Sequence, residues 1–228
     1  MGTVLASTIM ARAAGVLLDA GYARWTEAFL FDYANAGQQE AALLKPDISV
    51  SNENAVLVAG TKQSIPAAGT QLIKLVRNMG ASPGTTPGRV IELADMDEFS
   101  RKFPFWHQAT AAATVRFYFF DPRDPKNYYV YPPQPSSGFG YVNQIYALSP
   151  TDMVAGAGPV YTVAITIDNI YQNVLMDYML YRAYSKDAAM TPNAAARAQA
   201  HYAQFATALG RKDLLEKADD PNLKKQKE

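Results

Sequence analysis

Two histidines and no cysteine bound the chemistry this chain can carry. Without thiols there is no disulfide, no thiolate metal site and no cysteine nucleophile. His107 and His201 stand far apart, and neither has a metal-type partner three or four residues further on. A single imidazole of that kind reads as structural. No Walker loop and no GxGxxG turn is present, so no phosphate cradle is expected. Gly156-Ala157-Gly158-Pro159 reads as a plain turn. Asp95, Asp97 and Glu98 read as a helix cap with a solvated first turn, and no serine-nucleophile elbow is assigned. A serine, histidine and aspartate assembled from distant segments stays open as an enzyme reading. The expectation is a protein without catalytic residues, cofactor or metal.

The side chains that stand out are aromatic. Phe117, Tyr118, Phe119, Phe120, Tyr128, Tyr129 and Tyr131 crowd two short runs joined by Asp121-Pro122-Arg123-Asp124-Pro125-Lys126-Asn127, the spacing of a β-hairpin. Alternate residues of a strand face opposite sides. One set therefore faces the domain core, and the other faces a second layer, a neighbouring molecule or water. A hairpin apolar on both faces suits a subunit contact. Phe119, Tyr128, Tyr129 and Tyr131 are the candidates for a subunit or tail interface. In a competing carbohydrate-binding reading, Tyr128 and Tyr131 would line a groove.

These residues need elements to position them. Residues 3–20 carry Ile9, Ala13, Val16 and Leu17 at helical spacing. Thr26 caps a second helix that carries Leu30, Tyr33, Ala34, Ala41 and Leu44 and ends before Pro46. From about Val50 the period changes. Ala55–Ala59, Leu72–Val76, Arg89–Leu93, Tyr141–Leu148 and Tyr161–Ile167 read as strands beside the hairpin, with a short helix after Asp95. Pro132-Pro133 is expected to close its strand or leave it at an edge. Helical spacing returns after Asp168, and again after Thr191-Pro192 until Gly210. The expected class is α+β: mainly a helical bundle of N- and C-terminal helix pairs, with an inserted β-rich region and an extended C-terminal arm. The expected parts are 1–48 and 168–210 for the bundle, 49–167 for the insertion and 211–228 for the arm.

The final stretch RKDLLEKADDPNLKKQKE mixes both charge signs around three leucines. Ordering it costs roughly 1 kcal/mol or more per residue, which needs on the order of 700 Å² of apolar burial. The stretch cannot supply that internally, so a partner surface is expected to. Over the whole chain of 228 residues, 49% are hydrophobic and 18% charged, with zero formal net charge. That is a globular composition and not a strongly basic nucleic-acid binder. The start is not expected to be a signal peptide, since its basic residue follows the apolar stretch, and no apolar run is long enough for a bilayer.

Residues along most of the chain resemble the head-to-tail adaptor proteins of tailed bacteriophages. They are Arg24-Trp25-Thr26, Asp32-Tyr33-Ala34-Asn35-Ala36-Gly37-Gln38-Gln39, Leu44-Lys45-Pro46-Asp47, Arg77-Asn78, Phe120-Asp121-Pro122-Arg123, Tyr129-Val130-Tyr131-Pro132-Pro133, Asp177-Tyr178, and Leu180 through Asp187. Ala34 and Ala36 depart from the pattern. The resemblance implies a non-catalytic virion protein at the head–tail junction, assembled in the host cytoplasm. It implies a homo-oligomeric ring of twelve copies on the portal protein. Double-stranded DNA would pass through without sequence recognition, with no membrane involved and a tail or nozzle protein beyond. The C-terminal segment would dock on the portal, with Leu214, Leu215 and Leu223 as anchors and Lys224, Lys225 and Lys227 facing acidic surface. A tail terminator, a tail-tube ring protein and a virion-associated cell-wall hydrolase are the competing readings.

Overall fold

The computed structural model describes residues 2–80, 84–157, 160–189, 191 and 193–219, with the main chain alone for 211–219. The chain divides into two compact units. Residues 1–48 and 150–228 form one, and Ser49–Ser149 form the other.

The first unit is helical. Helix α1 spans Ala6–Val16, α2 Glu27–Leu44, α4 Gln172–Lys186 and α5 Ala194–Asp219. Thr26 starts α2 by accepting from the Phe29 N–H. Asp168 accepts from the Ile170 N–H and caps the 3-10 turn that leads into α4. α4 lies at the centre, against α1, α2 and α5. Ile9, Met10, Leu30, Leu175, Met179 and Phe205 form the inner core. At Gly37 α2 packs closely on α4. A Cβ there would sit 3.0 Å from the Tyr178 ring and 3.3 Å from Leu175, so an alanine requires those side chains to give by a few tenths of an ångström.

The second unit is a two-sheet sandwich. Strands β1 (Val50–Val56), β2 (Gly60–Ser64), β3 (Gly69–Met79), β4 (Pro87–Val90), β5 (Glu92–Leu93), β6 (Phe117–Phe120), β7 (Asn127–Gln134) and β8 (Tyr141–Leu148) form two sheets, in the orders β1-β8-β3-β4 and β2-β7-β6-β5. Leu72, Leu75, Val142 and Tyr146 from the first sheet meet Tyr118, Tyr128 and Val130 from the second. Burial pushes the Tyr128 hydroxyl well above its usual range. Helix α3, Met96–Lys102, lies after β5. Its N-cap Asp95 accepts from the Glu98 N–H at 2.7 Å. Asp95→Ala is expected to cost about 1 kcal/mol and lower the melting midpoint by about 2–4 °C in a thermal scan.

Four expectations are corrected. The mainly helical bundle with terminal helix pairs fails as a description of the chain. Among the described residues five helices stand beside two full four-stranded sheets, and those sheets own a separate core. The arm does not start as extended chain at Gly210. α5 runs through to Asp219, because Gly210 adopts no left-handed turn and the residues after it are strong helix formers. Pro132 and Pro133 do not end β7, which lies between β2 and β6. There Pro133 takes part as an acceptor, its carbonyl receiving the Ala112 N–H. Tyr161–Ile167 is no strand. Its main chain makes one bridge, Leu5 to Ala164, with Val163, Tyr161 and Ile165 bonded to the main chain of Ala6, Ser7 and Val4, and Gln38 of α2 takes the Thr166 and Ile167 amides.

Candidate assembly surfaces

The aromatic hairpin is filled from both sides within the protomer. Phe117 pairs with Tyr131 and Phe119 with Tyr129 across β6 and β7. Tyr128 is 1% exposed, with its hydroxyl 3.3 Å from Gln144 Oε1. Phe119 is fully buried beneath Phe99 and Trp106, at centroid distances of 5.0 and 4.8 Å. α3 and the turn after it thus provide the second layer, and neither Phe119 nor Tyr128 presents surface. Tyr129 and Tyr131 are half-buried. Exposed apolar side chains of this unit lie elsewhere, among them Val58, Val90, Leu93, Phe103 and Phe105. The pattern Phe-Pro-Phe-Trp at 103–106 held that signal.

Histidines take packing roles. His107 stacks on Trp106 and bonds Thr61 Oγ1 at 2.8 Å. His201 meets Asp177 Oδ1 at 3.0 Å and stacks on Tyr184. The letters GxSxG occur at Gly80–Gly84, a match the sequence reading passed over. Ala81, Ser82 and Pro83 lie outside the described residues. The flanking elements are antiparallel strands β3 and β4, not the strand and helix that a nucleophile elbow joins. Among the described residues no three acidic or histidine side chains gather as a metal site.

Polar side chains inside the fold hold main chain. Asn78, in β3, accepts from the Val115 N–H at 2.7 Å and donates to the Val115 carbonyl at 2.7 Å and the Arg89 carbonyl at 3.0 Å. On α2, Gln38 Oε1 accepts from the Thr166 N–H at 2.8 Å and the Ile167 N–H at 3.3 Å. Asn35 accepts from the Met153 N–H and donates to the Met153 carbonyl. Gln39 donates to the Pro150 carbonyl. The run Asn35 to Gln39 is therefore a clamp on residues 150–167.

α4 and α5 pack antiparallel in a readable register. Tyr178 meets Phe205, Tyr181 meets Tyr202 and Tyr184 meets His201. Carried to Gln172, the first residue of α4, this register reaches residues 211–213 of α5. The helical backbone passes beyond that point to Asp219 for about 9–12 Å at 1.5 Å per residue. Leu214 and Leu215 lie on that stretch of helix. Leu223, Lys224, Lys225 and Lys227 fall outside the described residues.

A chain whose buried polar side chains hold its own backbone, and which leaves large apolar side chains such as Leu18, Phe105 and Val154 exposed, has surface to offer a partner. The chain belongs to the SU10 adaptor protein family, a phage head–tail adaptor family, whose model matches residues 5–224. Membership makes it a structural phage protein of the head–tail junction that interacts in general with portal and tail proteins. Among curated proteins nothing matches the chain. Among the described residues no helix is long and apolar enough to cross a membrane.

Proposed function

We propose that the protein forms a head-to-tail adaptor ring of twelve copies that binds the portal, extends the DNA channel and gives the tail its attachment platform. The family match over residues 5–224 carries this reading. The continuation of α5 past the start of α4 supports a docking role for the C-terminal segment. Leu214 and Leu215 are its anchors on the helix, with Leu223, Lys224, Lys225 and Lys227 further on. Each arm adds little affinity alone, and copies joined in a ring act together through high effective concentration. Side-by-side copies meet through unlike surfaces, a contact that closes into a ring when the rotation allows. Tyr129 and Tyr131 remain candidates for that seam.

Removing 211–228 tests the reading. The truncated protomer is expected to stay folded, its circular dichroism lowered only by the helical residues 211–219 that are removed, and to load on purified portals at least tenfold less in a co-sedimentation assay. Undiminished loading refutes the arm. Binding to tail components alone, with no capture by portal from the full-length chain, refutes the adaptor ring.

A further inference from the structure

A cavity of about 190 Å³ lies in the helical unit between the α1–α2 loop and the start of α5, lined among others by Leu18, Arg24, Trp25, Thr191, Ala194 and Arg197. It is smaller than the roughly 300 Å³ at which cofactor and drug-sized sites begin, and has room for one or two side chains.

Several independent features of this place favour a negatively charged acceptor. Trp25 is 7% exposed, and its indole N–H is buried with no acceptor, a condition most buried donors avoid. Arg24 pairs with Asp187 at 2.8 Å and lies 5.1 Å from the Trp25 ring centroid. Arg197 lies over the Tyr184 ring, and no carboxylate among the described residues pairs with it. With Asp187 counted, the lining keeps a net positive charge. The first turn of α5 borders the cavity, and a helix of 26 residues favours negative charge at that end.

The rim is conformationally costly. The three non-glycine residues with positive φ among the described residues are Leu18 (56°), Tyr22 (55°) and Asn193 (64°); Leu18 lines the cavity, Asn193 precedes the lining residue Ala194, and Tyr22 lies two residues before Arg24. α1 ends in a Schellman turn, with Asp19 N–H bonded to Ala14 and Leu18 N–H to Gly15. Leucine stands where glycine is favoured, at a cost of roughly 1–2 kcal/mol. Its side chain is 93% exposed and gains nothing from the protomer. Asp19 then fixes the loop by accepting from the amides of Ala23, Arg24 and Trp25, each at 2.9 Å. The Trp25 amide foremost holds the Asp19 carboxyl below the usual carboxylate range. Costly backbone of this kind concentrates where a ligand is held.

We propose that this cavity receives an aspartate or glutamate side chain from a partner protein, with the Arg197 guanidinium on the carboxylate, the Trp25 ring turning to bring its buried indole N–H onto it, and Leu18 on the flanking apolar surface. The adaptor reading enters only in making the ligand part of another protein.

The test uses the full-length chain and two probes, N-acetyl-glutamate amide and its neutral isostere N-acetyl-glutamine amide. The Trp25 indole signal in a ¹⁵N–¹H spectrum, assigned with Trp25→Phe, is expected to move with millimolar glutamate probe and to respond at least tenfold more weakly to the glutamine probe. Arg197→Gln should weaken glutamate binding about fivefold with the fold intact. Leu18→Gly should raise the melting midpoint by a few degrees, since it relieves the left-handed leucine. No movement at about 50 mM probe, well above the millimolar range expected for so small a ligand, overturns the proposal. So does an equal response to both probes, or an equally strong response to inorganic phosphate. Portal loading is read separately, so either idea can fail without the other.

Discussion

Asn78→Leu is expected to destabilise the β unit by about 4 kcal/mol, near the upper end for a single substitution. Asn78 is 6% exposed and makes three hydrogen bonds to main chain, two to Val115 and one to Arg89. Leucine matches its size and supplies neither donor nor acceptor. The Val115 N–H and carbonyl would be left in a dry interior, at roughly 1–3 kcal/mol for each buried group that loses its partner, and the part-buried Arg89 carbonyl would lose its donor. Urea denaturation followed by far-ultraviolet circular dichroism measures the loss. Amide exchange at Val115 should accelerate before any other core amide of the sandwich. A cost under about 1 kcal/mol would mean that water replaces the amide and that Asn78 is no staple.

The helical unit offers the matching experiment. Gln38→Leu is expected to cost about 3 kcal/mol, because the Thr166 and Ile167 amides lose their acceptor inside the fold. The Thr166 hydroxyl keeps the Thr151 carbonyl at 2.9 Å, so the loss is smaller than at Asn78. Hydrogen exchange should report early opening of residues 150–167 while the α4–α5 pair stays protected. Adding Asn35→Ala, which removes the bonds to Met153, should be less than additive if both side chains clamp one cooperative segment. Full additivity would show two independent anchors.

The two staples explain what made the family legible without any chemistry. Asn35 to Gln39 and Arg77-Asn78 are among the residues that carry the resemblance. Their physical work is to hold irregular main chain that no ladder satisfies, a task needing side-chain amides at fixed positions. Elements with local punctuation were also readable. β8 coincides with the expected Tyr141–Leu148, and Asp121 accepts from the Arg123 N–H in the turn of the aromatic hairpin. Non-local features were not readable. Arg89–Leu93 looks like one strand, yet buried Ile91 sits where the chain leaves β4 in one sheet for β5 in the other. Tyr161–Ile167 alternates as a strand should, but its main-chain partner is the short run Val4–Ser7, which turns into α1 after one bridge. Gly210 carries the usual stop letter, while the helix-forming residues beyond it decide the outcome. The cavity beside Trp25 had no sequence signal beyond the letters Arg24-Trp25-Thr26, because Thr191 and Arg197 reach it from the far end of the chain.

The β unit enters at Ser49 and leaves at Ser149, and its first and last strands are neighbours, paired from Val50–Ala147 to Val56–Tyr141. Both chain ends belong to the helical unit. Tension applied between the termini would accordingly load the helices first and leave the sandwich slack until they part. The same geometry makes residues 49–149 a cassette in engineering terms. Excised, its ends are already side by side, and a short linker from Ile48 to Pro150 would close the gap it leaves.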